Sequence, residues 1–373
     1  MAIALFEEHC QRERFYPLTF TKPFAELHCG IFTFHEWWGK FTKQKVTDNK
    51  FDDSIVINSH ILPNENIWNE IQNLAPNVLL KDSNGNILAA KNHVLQEEKI
   101  DSVIAKSSFD FIETPHQLLQ HHSKIIEQQF HLIKKEKVSQ NISSTNNIIN
   151  EENIFIDENV ELEYATLNAK EGCIYIGANA VVMEGTAIRG AFALGENAVV
   201  KMGSKIYGAV STGRKCTLGG EIKNTVFNHG SNKAHDGYLG DSIIGSWCNF
   251  GAGATNSNVK NTAGDVKIYD YHTKKFIPSG KKFGLIMGDY SRIAINSSIN
   301  TGSSIGVCCN VFGKGLLPKF IANFSWGVDD KTTIYPIEKA IEHIDNWMDF
   351  KKEKLTESEI QNLKHIFEAS KSQ

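Results

Sequence analysis

From Ile176 onward the aliphatic residues recur every sixth position: Ile176, Val182, Ile188, Leu194, Val200, Ile206 and Leu218 form one run, with Thr212 its one miss. Four residues after each aliphatic the position is mostly small: Ala180, Thr186, Ala198, Ser204 and Cys216. Gly177, Gly195 and Gly213 recur three hexads apart. Ile244 and Phe250 resume the pattern after an expected loop at about residues 224–242. Met287, Ile293, Ile299, Ile305 and Val311 resume it again after an excursion at about 257–286, now with Ser291, Ser297, Ser303 and Cys309 at the small position. A period of six fits neither an amphipathic helix at about 3.6 nor a strand at about 2. It predicts a left-handed parallel β-helix, in which each hexad forms one flat side of a triangular coil and the aliphatic points into the prism.

The flanks follow other rules. Residues 1–138 carry short apolar runs, Ser54–Ile57 and Asn77–Leu80, and end in a helical pattern near Pro115–Lys135, which reads as an α/β domain. The Ser/Asn-rich stretch 139–153 reads as a linker, and 154–318 as the β-helix. In 319–373, Ile337, Ala340, Ile341, Ile344 and Met348 make a helical stripe past Pro336. Thr356 and Glu359 then form a capping box before Ile360, Leu363 and Phe367, giving a helical tail.

Composition sharpens the division. Of 28 glycines, 24 lie between Gly172 and Gly315, which marks a change of architecture. The 39 Lys+Arg against 43 Asp+Glu leave a net charge of -4, without the basic excess that nucleic-acid binding needs. The opening MAIALFEEHC is broken by Glu7 and Glu8, so neither a secretory signal nor a membrane anchor is expected. Seven cysteines without CxxC spacing predict reduced thiols in a cytoplasmic protein, with Cys308 and Cys309 as packing residues. No metal-ligand cluster stands out.

A β-helix alone names no activity. Candidate chemistry lies where the repeat breaks, in EIKNTVFNHGSNKAHDGYLGDSIIGSWCNFGAGATNSN from Glu221 to Asn258. Acyl transfer from a thioester to an amine needs a base near neutrality, donors for an oxyanion and cations for an anionic acceptor; histidine, asparagine or backbone N–H, and lysine supply these. This stretch resembles the acetyltransferase half of the GlmU family of bifunctional glucosamine-1-phosphate acetyltransferases and N-acetylglucosamine-1-phosphate uridylyltransferases, through SNKAHDGYLGD and NFGAG. The resemblance implies acetyl-CoA as cosubstrate, His235 as general base, Lys223 and Tyr238 on the sugar phosphate, and Asn249 positioning sugar or acyl group. It also implies Lys205 in place of a phosphate-binding arginine expected eighteen residues before Lys223, Asn258 as the remnant of a CNYDG motif, and backbone near Ala252, Ile295 and Gly313 against coenzyme A. It further implies a homotrimer with active sites between prisms, consistent with Phe192, Tyr207 and Phe227 expected on the helix sides.

In the front domain, RFYPLT at Arg14–Thr19 followed by Lys22-Pro23 resembles the signature of sugar nucleotidyltransferases, with Arg14 and Lys22 as candidate nucleotide contacts. The preceding loop, EEHCQRE, has acids where that family has phosphate-cradling glycines. Asn58 stands where a metal-binding aspartate is expected. Mg2+ and UTP are thus expected only if this domain is active. Three readings stay open: an amino-sugar-1-phosphate N-acetyltransferase with or without uridylyl transfer; a nucleotidyltransferase whose β-helix oligomerises or senses a ligand; and a non-catalytic scaffold.

Overall fold

A computed structural model describes residues 2–47, 54–91, 101–328 and 332–371. The front domain is a six-stranded mixed sheet ordered Val46–Thr47, Ile3–Phe6, Ile55–Asn58, Ile87–Lys91, Val78–Lys81, Asp101–Ile104. Ile3, Ile55, Ile57, Leu80 and Leu88 are fully or almost fully buried in it against Trp38, Ile67 and Ile71 of the helices Phe34–Thr42 and Glu65–Gln72. The long helix Pro115–Glu136 starts where the pattern asks. Pro115 fits the first turn, whose N–H has no helical partner, and the Gln117 side chain accepts from the Thr114 N–H at 3.1 Å.

From Asn147 onward the chain winds into a parallel β-helix of about ten turns, and two helices, Ile337–Asp349 and Glu357–Ser370, close the C-terminal part. The stretch 139–153 is tied to the helix: Asn147–Ile149 pairs in parallel with Thr166–Asn168, and the Gln140 N–H donates to the Ile156 carbonyl. Three columns of inward residues fill the prism. The first side stacks Leu162, Val182, Val200, Leu218, Lys233, Phe250, Ile293 and Val311. The second stacks Leu167, Ile188, Ile206, Ile222 and Leu239, and the third Ile156, Ile176, Leu194, Thr212, Phe227, Ile244, Met287 and Ile305. Burying each such aliphatic contributes about 1.5–3 kcal/mol. At the corners the chain turns through left-handed residues, among them Asn179, Asn197 and Asn296, the residue type that tolerates this backbone best after glycine.

Two expectations are corrected. Residues 224–242 are not a loop: Glu221–Phe227, Asn232–Lys233 and Tyr238–Ile244 are strands in unbroken coils. The hexad pattern fails there because the coils shorten. Leu218 pairs above Lys233, fifteen residues on, and Ile222 above Leu239, seventeen on. Phe192 and Phe227 are likewise not on the outside; both are wholly buried in the prism, and only Tyr207 of the three faces out.

The excursion after Ser257 is a hairpin, Lys267–Asp270 against Lys275–Pro278. Its tip wedges between the other parts: Tyr271 meets Tyr16 and Phe20 of the front domain and Phe320 of the helix, and His272 Nδ1 lies 2.8 Å from Glu13. The front domain is docked through more than this wedge. One apolar cluster joins Ile125, Ile126 and Phe130 of the long helix to Ala193, Ala209, Val226 and Ile243 of the coils. Within the interface the His122 imidazole bonds Ser211 Oγ at 2.7 Å. Burial lowers the pKa of His28 to about 4 and of His122 to about 3, so both stay neutral near pH 7.

Candidate functional site

Strand register assembles the site on the second side of the prism. Lys205, Glu221 and Tyr238 form one outward column; Tyr207, Lys223 and Gly240 form the next. Lys205 therefore does not stand directly beneath Lys223, as the eighteen-residue spacing implied. The shortened coil puts Tyr207 there and sets Lys205 on the diagonal. Arg189 lies on the Lys223 column one coil further down, where it pairs with Glu171 at 2.9 Å. No sequence spacing of eighteen would have found it. Tyr207 donates to Glu221 at 2.6 Å, and this bond, with lesser help from burial, raises its pKa to about 12. Among the described residues the Lys205 and Lys223 ammonium groups have no carboxylate partner.

Tyr238 is held from above. Asn258 donates to its hydroxyl at 3.0 Å and also to Asp241, while Asn224 donates to the other Asp241 oxygen at 2.7 Å. Asn224 and Asp241 are corner residues with φ of 42° and 48°, so their side chains stack on the edge between second and third sides. Burial, with Asp241 next, pushes the Tyr238 hydroxyl far above its ordinary pKa, leaving it a neutral donor.

His235 lies on the opposite edge of the same side. It is exposed, between Asn232–Lys233 on the first side and Tyr238 on the second. Below it is Lys233, at an inward position where its neighbours in the column are Leu218 and Phe250. The Lys233 ammonium, 1% exposed, donates to the carbonyls of Gly219, at 3.3 Å, and His235. Burial lowers its pKa to about 8. A buried cation thus pins the backbone that carries the imidazole, which sequence reading missed because the hexad phase is lost there. Gly237 completes the turn: a Cβ would lie 2.3 Å from the Ala254 carbonyl, and its φ of +118° disfavours any side chain.

The same edge carries the residues assigned to coenzyme A. Lys233, Phe250, Ile293 and Val311 stack, and the edge is of equal length in these coils, so two residues on His235, Ala252, Ile295 and Gly313 fall in one line. At about 4.8 Å per coil the line is about 14 Å long. Ile295 is 67% exposed on it. Asn249 is not brought to this group. It stacks between Asn232 and Arg292 on the outer face of the first side, toward the helix Ile337–Asp349, whose Trp347 ring covers the Arg292 guanidinium at 5.5 Å.

In the front domain the two candidate nucleotide contacts differ: Lys22 is spent on the β-helix, whereas Arg14 has no ion pair among the described residues. The Lys22 ammonium, largely buried, lies 2.7 Å from Asp289 and 2.6 Å from Ser246, both on the β-helix. Thr21 also donates to Asp289, at 2.6 Å. Glu7 receives Arg12 at 3.3 Å and the Phe24 N–H at 3.1 Å. Asn58 donates its amide to Gln11 and the Ile87 carbonyl and accepts from the His60 N–H. Both Asn58 N–H groups are thereby used, its neutral oxygen already accepts one backbone N–H, and the side chain is wholly buried, which makes it a poor fit for a Mg2+ ligand. Arg14 ends the helix His9–Arg14.

Comparisons with known proteins find similarity over parts of the chain. Residues 3–138 match the family model described as sugar nucleotidyl transferase. The bifunctional sugar-1-phosphate nucleotidylyltransferase/acetyltransferase of Sulfurisphaera tokodaii is 33% identical over 92 residues, 25% of this chain and 23% of that protein. The bifunctional protein GlmU of Methanocaldococcus jannaschii is 28% identical over 121 residues, 32% of this chain and 28% of that protein. The chain thus spans about a quarter of the length of these curated relatives. Among solved structures, LpxA, a UDP-N-acetylglucosamine acyltransferase from Bacteroides fragilis, aligns with 60% of this chain and 95% of its own at 13% identity and a TM-score of 0.36. The chain is therefore similar to sugar nucleotidyl transferases over residues 3–138, and over part of its length to bifunctional nucleotidylyltransferase/acetyltransferases.

Proposed function

We propose that the chain is an acetyl-CoA-dependent N-acetyltransferase acting on an amino-sugar 1-phosphate, glucosamine 1-phosphate being the first acceptor to test. One observation carries the reading: an exposed histidine stands on the same edge as Ala252, Ile295 and Gly313, beside a face bearing Lys205, Lys223 and Tyr238. In this reading the acyl-pantetheine arm runs along the edge and brings its thioester to His235. Lys223 and Lys205 hold the acceptor phosphate, and Tyr238, oriented by Asn258, donates to the acceptor. His235 takes the proton as the amine nitrogen attacks the thioester carbonyl. The C–S bond then breaks and the proton returns to the leaving thiolate. The Ala252 N–H, one coil from His235 and without a backbone acceptor among the described residues, is available to the oxyanion.

Asn249 enters only if a second prism completes the site, which is one reason to propose a homotrimer. The second reading, uridylyl transfer by the front domain from UTP and Mg2+, is disfavoured by the engagement of Lys22, Glu7 and Asn58. The test is purified protein with acetyl-CoA, glucosamine 1-phosphate and a thiol reagent. Thiol release dependent on the acceptor supports the reading; acceptor-independent or absent release refutes it.

A further inference from the structure

The hairpin's return segment leaves a cavity that the acyl-transfer reading does not use. It measures about 320 Å3 and has walls from three separate parts of the chain. His116, Leu119 and Gln120 of the long front-domain helix form one wall, Asn224 and Asp241 on the prism edge another, and Ser279–Phe283 the third. Only the inserted hairpin makes this space, since a plain coil would pass directly from the second side to the third.

Its chemistry is graded from floor to rim. Asp241, 5% exposed, is a carboxylate with no cationic partner among the described residues; two amides, from Asn224 and Asn258, use one direction of each oxygen. A carboxylate has lone pairs beyond these, to which ligand hydroxyls can donate. Gln120 and His116 line the same cavity, the latter with burial holding its pKa below the ordinary value, so a neutral imidazole faces the cavity at pH 7. At the rim stand Lys281 and Lys282. Lys281 has only an exposed pairing to Asp265 at 3.1 Å, which solvent weakens, and Lys282 has no ion pair among the described residues. Gly280, with nothing within 4 Å of a notional Cβ, keeps the entrance open.

We propose that this cavity binds a phosphorylated polyol, its vicinal diol on Asp241 and Gln120 and its phosphate on Lys281 and Lys282. A carboxylate below and paired lysines above match hydroxyls and phosphate respectively. The volume suits a ligand the size of one sugar phosphate or nucleoside. Occupancy also reaches the acyl-transfer face, because the Asp241 oxygen that receives Asn258 shares that amide with the Tyr238 hydroxyl. The proposal rests on the cavity and stands or falls apart from the acetyltransferase reading.

Isothermal titration on the Lys223→Ala background, which weakens the acceptor face, tests it with two probes, UDP and glucosamine 1-phosphate. Saturable binding of one probe is expected, and which one binds tells a nucleotide from a hexose phosphate. Reversing the rim charge with Lys281→Glu and Lys282→Glu together should raise the Kd at least tenfold, as should Gln120→Leu. Both changes are at exposed positions and should leave the circular dichroism spectrum intact. Failure of both probes to bind at about 10 mM, or affinities within twofold of the parent in both variants, would overturn the proposal.

Discussion

The front domain and the β-helix both carry sequence motifs of transferases, but they treat those residues in opposite ways. In the front domain the motif lysine is consumed by the protein itself, Lys22 by Asp289 and Ser246, and so are the residues that depart from the motif, Asn58 by Gln11 and Ile87 and Glu7 by Arg12 and Phe24, while Arg14 keeps no ion pair among the described residues. On the β-helix the motif side chains are left available. His235 is exposed, the Lys205 and Lys223 ammonium groups have no ion pair among the described residues, and the supporting bonds come from elsewhere, Lys233 beneath His235 and Asn258 beside Tyr238. A motif in sequence is thus a weaker statement than a motif with unspent hydrogen-bonding capacity. The Lys22 ammonium faces a carboxylate and a hydroxyl that together do for it what a triphosphate would do.

The largest expected effect separates the two regions at once. His235→Ala should lower acetyl transfer by about a hundredfold to ten-thousandfold, the usual range for loss of a general base, with an unchanged far-ultraviolet spectrum. Activity within a few-fold of wild type would remove His235 from the mechanism. Lys22→Ala should act in the reverse sense. It leaves Asp289 buried without its cation, so thermal and urea unfolding should show a loss of about 3 kcal/mol, while acetyl transfer stays within a few-fold. Next in size, Lys223→Ala should raise KM for the phosphorylated acceptor by about tenfold to a hundredfold, with KM for acetyl-CoA little changed, as expected for one lost charge-assisted contact. An equal rise in both would place Lys223 elsewhere than on the acceptor.

A further effect concerns the docking itself. His28 and His122 are neutral at the domain interface, with pKa lowered to about 4 and about 3, whereas the unfolded chain takes up these protons near pH 6.5. Between those limits the unfolded state binds more protons, so stability falls as pH falls from about 6.5 toward 4. The urea midpoint should drop between pH 7 and pH 5, and the drop should shrink in His122→Gln. A pH-independent midpoint would show that these groups titrate alike in both states.

How much of this was legible in the sequence depends on phase. Where coils keep eighteen residues, hexads gave the inward residues directly, from Ile176 to Leu218 and from Met287 to Val311. Where coils shorten to between fifteen and seventeen residues, strands look like a loop in the sequence, Lys233 is invisible as an interior residue, and the spacing sets Lys205 one column away from its true neighbours. Phe192 and Phe227 were misplaced for a related reason: the third side supplies its own inward residues, and Phe192 lies two positions before Leu194 on a strand that is buried throughout. The fate of Lys22 could not be read at all, since Asp289 is 267 residues further along the chain and only the docking of two domains brings them together.

The most direct test of the contrast is a pair of assays on one preparation. One follows thiol release from acetyl-CoA with glucosamine 1-phosphate; the other follows pyrophosphate release from UTP with N-acetylglucosamine 1-phosphate and Mg2+. The account predicts acetyl transfer that His235→Ala abolishes, with pyrophosphate release at or near background. Pyrophosphate release at about 1 per second or faster, lost in Lys22→Ala and untouched by His235→Ala, would contradict it, because Lys22 would then be serving a nucleotide and not Asp289.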